Sequence, residues 1–168
     1  MAPVAVIVGS PGAGKTSVGR RVAERLGVGF IDTDHVVEER AGRPIPDIFV
    51  NEGEEAFRAL EAQAVGETLS ASQGVVALGG GAVLRAETQQ ALAGCTVVWL
   101  KVGVPDAANR VGLNTARPLL LGNVRGTLGT LLEQRNPVYE RLATVVVDTS
   151  GKSLRQVTDE VVAAVRGD

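Results

Sequence analysis

A chain of 168 residues with 45% hydrophobic and 21% charged residues has the size and make-up of one globular domain with a proper core. A formal net charge of −2 gives no bulk attraction for nucleic acid, and 3% aromatics are too few for a base-stacking platform. The lone cysteine, Cys95, rules out an internal disulfide, and the N-terminal apolar run is too short and lacks the basic start of a signal or membrane span; a soluble, cytoplasmic protein is expected.

The chain opens on residues 4–8, a short apolar, β-branched run that predicts a buried parallel strand. Residues 9–16 then read Gly-Ser-Pro-Gly-Ala-Gly-Lys-Thr, which fits G-x-x-x-x-G-K-[ST]. Glycines at 9, 12 and 14 let main-chain amides turn inward around a phosphate, with a helix N-terminus just behind them. Lys15 suits the β/γ-phosphate charge, and the Thr16 hydroxyl suits Mg²⁺. Residues 15–26 carry Val18, Val22 and Leu26 at helical spacing, which supplies the helix. The alternative is a glycine-rich turn that holds nothing.

A second strand over 28–31 runs into Asp32-Thr33-Asp34, at the sheet edge where open α/β folds bind ligands. In an extended chain, residues i and i+2 point the same way, so both carboxylates face the phosphate pocket. One then serves the metal, through water, and the other meets an acceptor hydroxyl. Capping of the following helix, 34–41, by Asp34 or Thr33 is a compatible reading. His35 is read as a helix-surface histidine, not a base.

A helix over 53–70 contains Arg58, with Glu54 at i−4 and Glu61 at i+3. Either this is a solvated face with local ion pairs, or the glutamates hold a ligand-binding guanidinium still. A third strand, 75–78, ends in Gly79-Gly80-Gly81, which implies either a close backbone approach or a flexible turn. No acidic residue ends that strand, so Asp32 is left to cover the metal role. A helix over 85–93 follows, and then Cys95, read as a packing residue before the strand at 96–101. A helix is expected over 105–111. Residues 112–126, bounded by Gly112, Gly122 and Gly126, hold Arg117 before Pro118, in a segment able to close over a ligand. A helix over 125–141 with Arg135, a strand over 144–147 and a helix over 153–166 complete an α/β pattern with a parallel sheet. No N-K-x-D guanine reader is present, which argues against a GTP switch.

The combination resembles the shikimate kinase family over about residues 3–150: the P-loop, DTD at 32–34, GRPIPDIFVNEGEEAFRALE at 42–61, GGGAV at 79–83, NTARPLL at 114–120 and QRNPVYE at 134–140. That family has the order P-loop, DTD, FR-x-x-E, GGG, RPLL, R-x-P-x-Y. The resemblance implies a monomeric three-layer P-loop kinase fold spanning 1–168, with a five-stranded parallel sheet in the order 2-3-1-4-5. It also implies a substrate-binding insert at about 34–61 and a lid at about 112–126. The activity it implies is ATP-dependent phosphorylation of the 3-hydroxyl of shikimate, with Mg²⁺, on the route to chorismate, and with no nucleic-acid or membrane partner.

The roles implied are equally specific. Gly12, Ala13, Gly14, Lys15, Thr16 and Ser17 hold ATP phosphates, Thr16 binds Mg²⁺ directly, and Asp32 does so through water. Lys15, Asp34 and Arg117 serve the chemistry. Arg58 and Arg135 clamp the acceptor carboxylate, a task that suits planar bidentate donors. Glu61 orients Arg58. Gly79, Gly80 and Gly81 meet the ring by backbone, and Phe49 and Phe57 wall it. Arg110 lies near the adenine. Relatives often carry an arginine in the adenine site after the segment Val147-Asp148-Thr149; here Lys152 and Arg155 stand nearest, and Lys152 takes that role.

Overall fold

The computed structural model describes residues 2–10, 12–102 and 124–167. The expected helix over 105–111, Arg110, Arg117 and residues 112–123 of the expected lid lie outside the described residues.

Strands β1 (Ala5–Val8), β2 (Phe30–Asp32), β3 (Val75–Ala77), β4 (Val97–Lys101) and β5 (Val145–Asp148) pair in parallel in the order β2-β3-β1-β4-β5. The central strand β1 reads AVIV and is buried along its whole length. Its side chains alternate between two layers, as a period of two requires. Ala5 and Ile7 pack with Val18 and Val22 of α1 (Lys15–Leu26) and Val157 and Val161 of α6 (Leu154–Arg166). Val6 and Val8 pack with Val65 and Leu69 of α3 (Ile45–Ala71), Trp99 of β4 and Tyr139 of α5 (Val124–Leu142). Burial on both faces explains why the strand sequence is uniformly apolar. Each such valine or isoleucine contributes about 1.5–3 kcal/mol of transfer free energy.

Helix ends follow local chemistry. α1 begins behind Gly14, whose left-handed backbone (φ 88°, ψ 22°) a side chain would resist. α6 starts with a capping box in which Ser153 and Gln156 exchange side-chain-to-backbone hydrogen bonds. α2 (Thr33–Ala41) leads into α3, and the two bury Val37, Ile45, Ile48, Phe57 and Ala64 between them. A short 3₁₀ turn (Ala82–Leu84) and α4 (Ala86–Leu92) connect β3 to β4.

The segment Ile45–Ala71 is two helices joined at Gly53, whose backbone (φ 88°, ψ 169°) is not helical. The helix expected over 53–70 is the second of them; the first, which Pro44 and Pro46 help to start, was not expected. One expectation is corrected: the extended-chain argument for the DTD segment fails. The strand stops at Asp32 and α2 starts at Thr33, so Asp34 stands in a first helical turn.

Candidate active site

The P-loop joins β1 to α1 at the carboxyl edge of the sheet. α1 has no side-chain cap and no acidic residue in its first turn. Its N-terminal amides and the positive end of its dipole are therefore available to an anion. Lys15 folds back over the loop, and its Nζ donates to the carbonyls of Gly9 (2.9 Å) and Ser10 (3.1 Å). The ammonium thus already hangs above the phosphate cradle. Gly12, Ala13 and Gly14 line the turn, and Thr16 and Ser17 are exposed on the first turn of α1.

The Thr16 hydroxyl donates to Asp32 Oδ2 at 2.7 Å. Asp32 Oδ1 accepts from the Asp34 backbone N–H at 2.9 Å, which makes Asp32 the N-cap of α2. The sequence alone suggests Asp34 or Thr33 as the cap. The cap is Asp32 because its backbone is still extended (φ −103°, ψ 121°) one residue before the helix. Thr33 instead is fully buried, and its hydroxyl donates to the Ala77 carbonyl of β3 at 3.4 Å. One carboxylate therefore ties the head of α1 to the head of α2. Two hard oxygen donors, Thr16 Oγ1 and an Asp32 carboxylate, meet at the edge of the phosphate cradle.

Across the site, α3 carries Arg58. Its side chain is 13% exposed, so it is not a solvated surface arginine. Nη1 donates to Glu61 Oε1 at 2.7 Å, and Glu61 is itself 1% exposed. Nη2 lies 3.5 Å from the more exposed Glu54. The guanidinium rests over the Phe57 ring (5.1 Å to the centroid) and against Gly81, where an added Cβ would fall 2.6 Å from Nη2. Phe57 is wholly buried and stacks at 4.9 Å on half-buried Phe49. Gly79, Gly80 and Gly81 are buried at the end of β3. α5 approaches the same glycines: the Tyr139 hydroxyl donates to the Gly80 carbonyl at 2.5 Å. Arg135, 4% exposed, stands one helical turn before Tyr139 on that helix. Tyr139 had no role in the sequence reading; its signal was the i, i+4 spacing from Arg135 within QRNPVYE.

Beside the P-loop is a cavity of about 300 Å³ lined by Ala13, Gly14, Ser17, Thr149, Lys152 and Leu154, among others. Lys152 reaches its rim while paired to Glu160 at 2.9 and 3.0 Å. Arg155 is exposed and does not line the cavity. Thr149 donates to the Lys101 carbonyl at 3.0 Å, which ties this loop to β4. His35 is a surface residue facing Glu39, as read from the sequence. Cys95 packs against the apolar layer, and burial pushes its thiol pKa up. Among the described residues no group of three metal-ligating side chains gathers, and no helix is long and apolar enough to cross a membrane.

The arrangement has known counterparts. The shikimate kinase family profile matches residues 11–166. A shikimate kinase of Thermobifida fusca is 61% identical over 148 residues, covering 88% of this chain and 86% of that relative. One of Salinispora arenicola is 56% identical over 163 residues, covering 97% and 98%. Among solved structures, the shikimate kinase from Acinetobacter baumannii in complex with shikimate superposes with a TM-score of 0.94 at 35% identity, covering 99% of this chain and 94% of that one. With a phosphate cradle, a buried arginine and relatives of this closeness over nearly its whole length, the chain belongs to the shikimate kinase family of enzymes.

Proposed function

We propose that this enzyme transfers the γ-phosphoryl group of ATP to the 3-hydroxyl of shikimate, giving shikimate 3-phosphate and ADP. The observation that carries the acceptor is the buried Arg58–Glu61 pair resting on Gly81, across from a P-loop. A held guanidinium beside a phosphate cradle suits an acidic small molecule, not a nucleobase. The complex of the Acinetobacter baumannii relative with shikimate supports the same acceptor.

In this reading Arg58 and Arg135 clamp the carboxylate, and Phe49, Phe57 and the backbone of residues 79–81 border the ring. Asp34 orients the reacting hydroxyl; an ordinary aspartate is a weak base, so orientation matters more than proton removal. Lys15 leaves the Gly9 and Ser10 carbonyls for the β/γ-phosphates. Transfer through a loose transition state depends on such positioning and charge neutralisation. Arg117 adds positive charge from the segment 112–126, which acts as a lid over an acceptor insert at about 34–61. Arg110 and Lys152 border the adenine, Lys152 from the rim of the 300 Å³ cavity.

Mg²⁺ fits the pair of hard oxygens on Thr16 and Asp32, Thr16 as a direct ligand and Asp32 through water. When bound with ATP, it offsets charge on the β- and γ-oxygens. The protein works as a single-domain monomer in the cytoplasm, on the route to chorismate, with no nucleic-acid or membrane partner.

The test is ADP release in a coupled assay with shikimate, gluconate, AMP or no acceptor. Turnover with shikimate alone supports the reading. Equal or faster release with gluconate or AMP overturns it.

A further inference from the structure

Tyr139 is buried completely and takes no part in the site described above, yet it is bonded to the backbone that borders it. Its ring packs against Trp99 at 5.8 Å between centroids, which leaves the phenol little room to shift. Its hydroxyl donates to the Gly80 carbonyl at 2.5 Å. The peptide between Gly80 and Gly81 is trans, so its N–H points opposite to its carbonyl. A carbonyl drawn toward Tyr139 in the core turns the Gly81 N–H away from the core. Gly81 is also the residue on which the Arg58 guanidinium rests. Glycine peptides are otherwise the easiest in a chain to rotate. The helix that carries Arg135 therefore also carries the group that holds this peptide still.

We propose that Tyr139 is a positioning residue for the acceptor: its hydroxyl locks the Gly80–Gly81 peptide in the orientation that the acid and Arg58 require. The proposal rests on the reading above, in which shikimate lies against residues 79–81 and Arg58. The hydroxyl itself touches neither substrate.

Tyr139→Phe removes only the oxygen. Losing one such hydrogen bond should raise the shikimate KM about five- to twentyfold and leave the ATP KM within about twofold. Leu69→Ala, in the same apolar layer, is the packing control: it should lower the melting temperature while both KM values stay within about twofold. Arg58→Ala tests the underlying reading. If it spares the shikimate KM, the acceptor site is wrong and the proposal falls with it. If it raises that KM while Tyr139→Phe leaves it unchanged, or raises both KM values equally, only the positioning role falls. A second measurement needs no folded variant. The chain has one tyrosine, so biosynthetic 3-fluorotyrosine yields a single ¹⁹F resonance. Saturating shikimate should move that resonance more than saturating ATP does; a resonance indifferent to shikimate overturns the proposal.

Discussion

Arg58 and Gly81 are in direct contact, and neither has room to give way. A Cβ at position 81 would lie 2.6 Å from Nη2 and 2.8 Å from Cζ of Arg58. The backbone at Gly81 (φ −95°, ψ −1°) is one that alanine adopts, so the conflict is steric rather than conformational. A lone arginine would swing aside cheaply. This one is held by Glu61 at 2.7 Å, and Glu61 has no solvent to turn toward.

Gly81→Ala should therefore fold, but with Arg58 displaced from the glycine backbone. The expected result is a rise of about tenfold or more in the shikimate KM, the scale of one weakened charge-assisted contact, with the ATP KM little changed. Steady-state kinetics in both substrates measures this. An unchanged shikimate KM would remove Arg58 from the acceptor site.

Lys15→Met keeps the length of the side chain and removes its charge. Turnover should fall at least about a hundredfold, as losses of single electrostatic groups do. Melting should change far less than turnover, because the Gly9 and Ser10 carbonyls that accept from Lys15 belong to the same loop. Near-normal turnover would show that the ammonium plays no part in phosphoryl transfer.

Asp32 has two separable tasks. Asp32→Ala removes the N-cap of α2 and should cost about 0.5–2 kcal/mol in urea or thermal unfolding. Asp32→Asn keeps a carbonyl oxygen for the Asp34 N–H and should retain most of that stability. Both remove the negative charge beside Thr16 and should lower turnover by at least about tenfold if that charge serves the metal. An asparagine variant with full activity would leave Asp32 a cap and nothing more.

Burial raises the Cys95 pKa, so at neutral pH the thiol is protonated and a poor nucleophile. Alkylation by iodoacetamide should be slower than for a free cysteine. It should speed up with pH and keep rising past the ordinary thiol value before it levels off. The raised value has a stability counterpart: the folded state binds this proton more tightly, so stability declines as pH climbs from the ordinary thiol value through the raised one. Rapid labelling at pH 7 would contradict the packing role.

Much of the site was legible because its determinants are local. The P-loop needs glycines, a lysine and a threonine at fixed offsets, between a short apolar strand and a helix. The strand and helix at positions 4–26 stand close to where the pattern puts them. The other strands were found within two residues at each end: β3 and β4 are unbroken apolar runs because both faces are buried, and the partly exposed edge strands β2 and β5 are still mostly apolar. Glu61 at i+3 from Arg58 was likewise readable as a helix-face neighbour. The 34–70 region was harder. The helix expected over 53–70 is present after the break at Gly53, but the helical stretch from Ile45 before it was not expected; it shows in the packing of Ile45 and Ile48 with Val37.

By itself, the sequence determined the α/β pattern, the phosphate cradle and, through its motif order, the family resemblance, because each rests on spacing along the chain. The tertiary structure alone decided that Arg58 is buried rather than solvated, that Asp32 ties the head of α2 to Thr16 of α1, and that Tyr139 reaches Gly80 across 59 positions. Those facts depend on how helices from distant parts of the chain settle on one sheet edge. Burial and through-space hydrogen bonding are properties of that packing, and no local pattern encodes them.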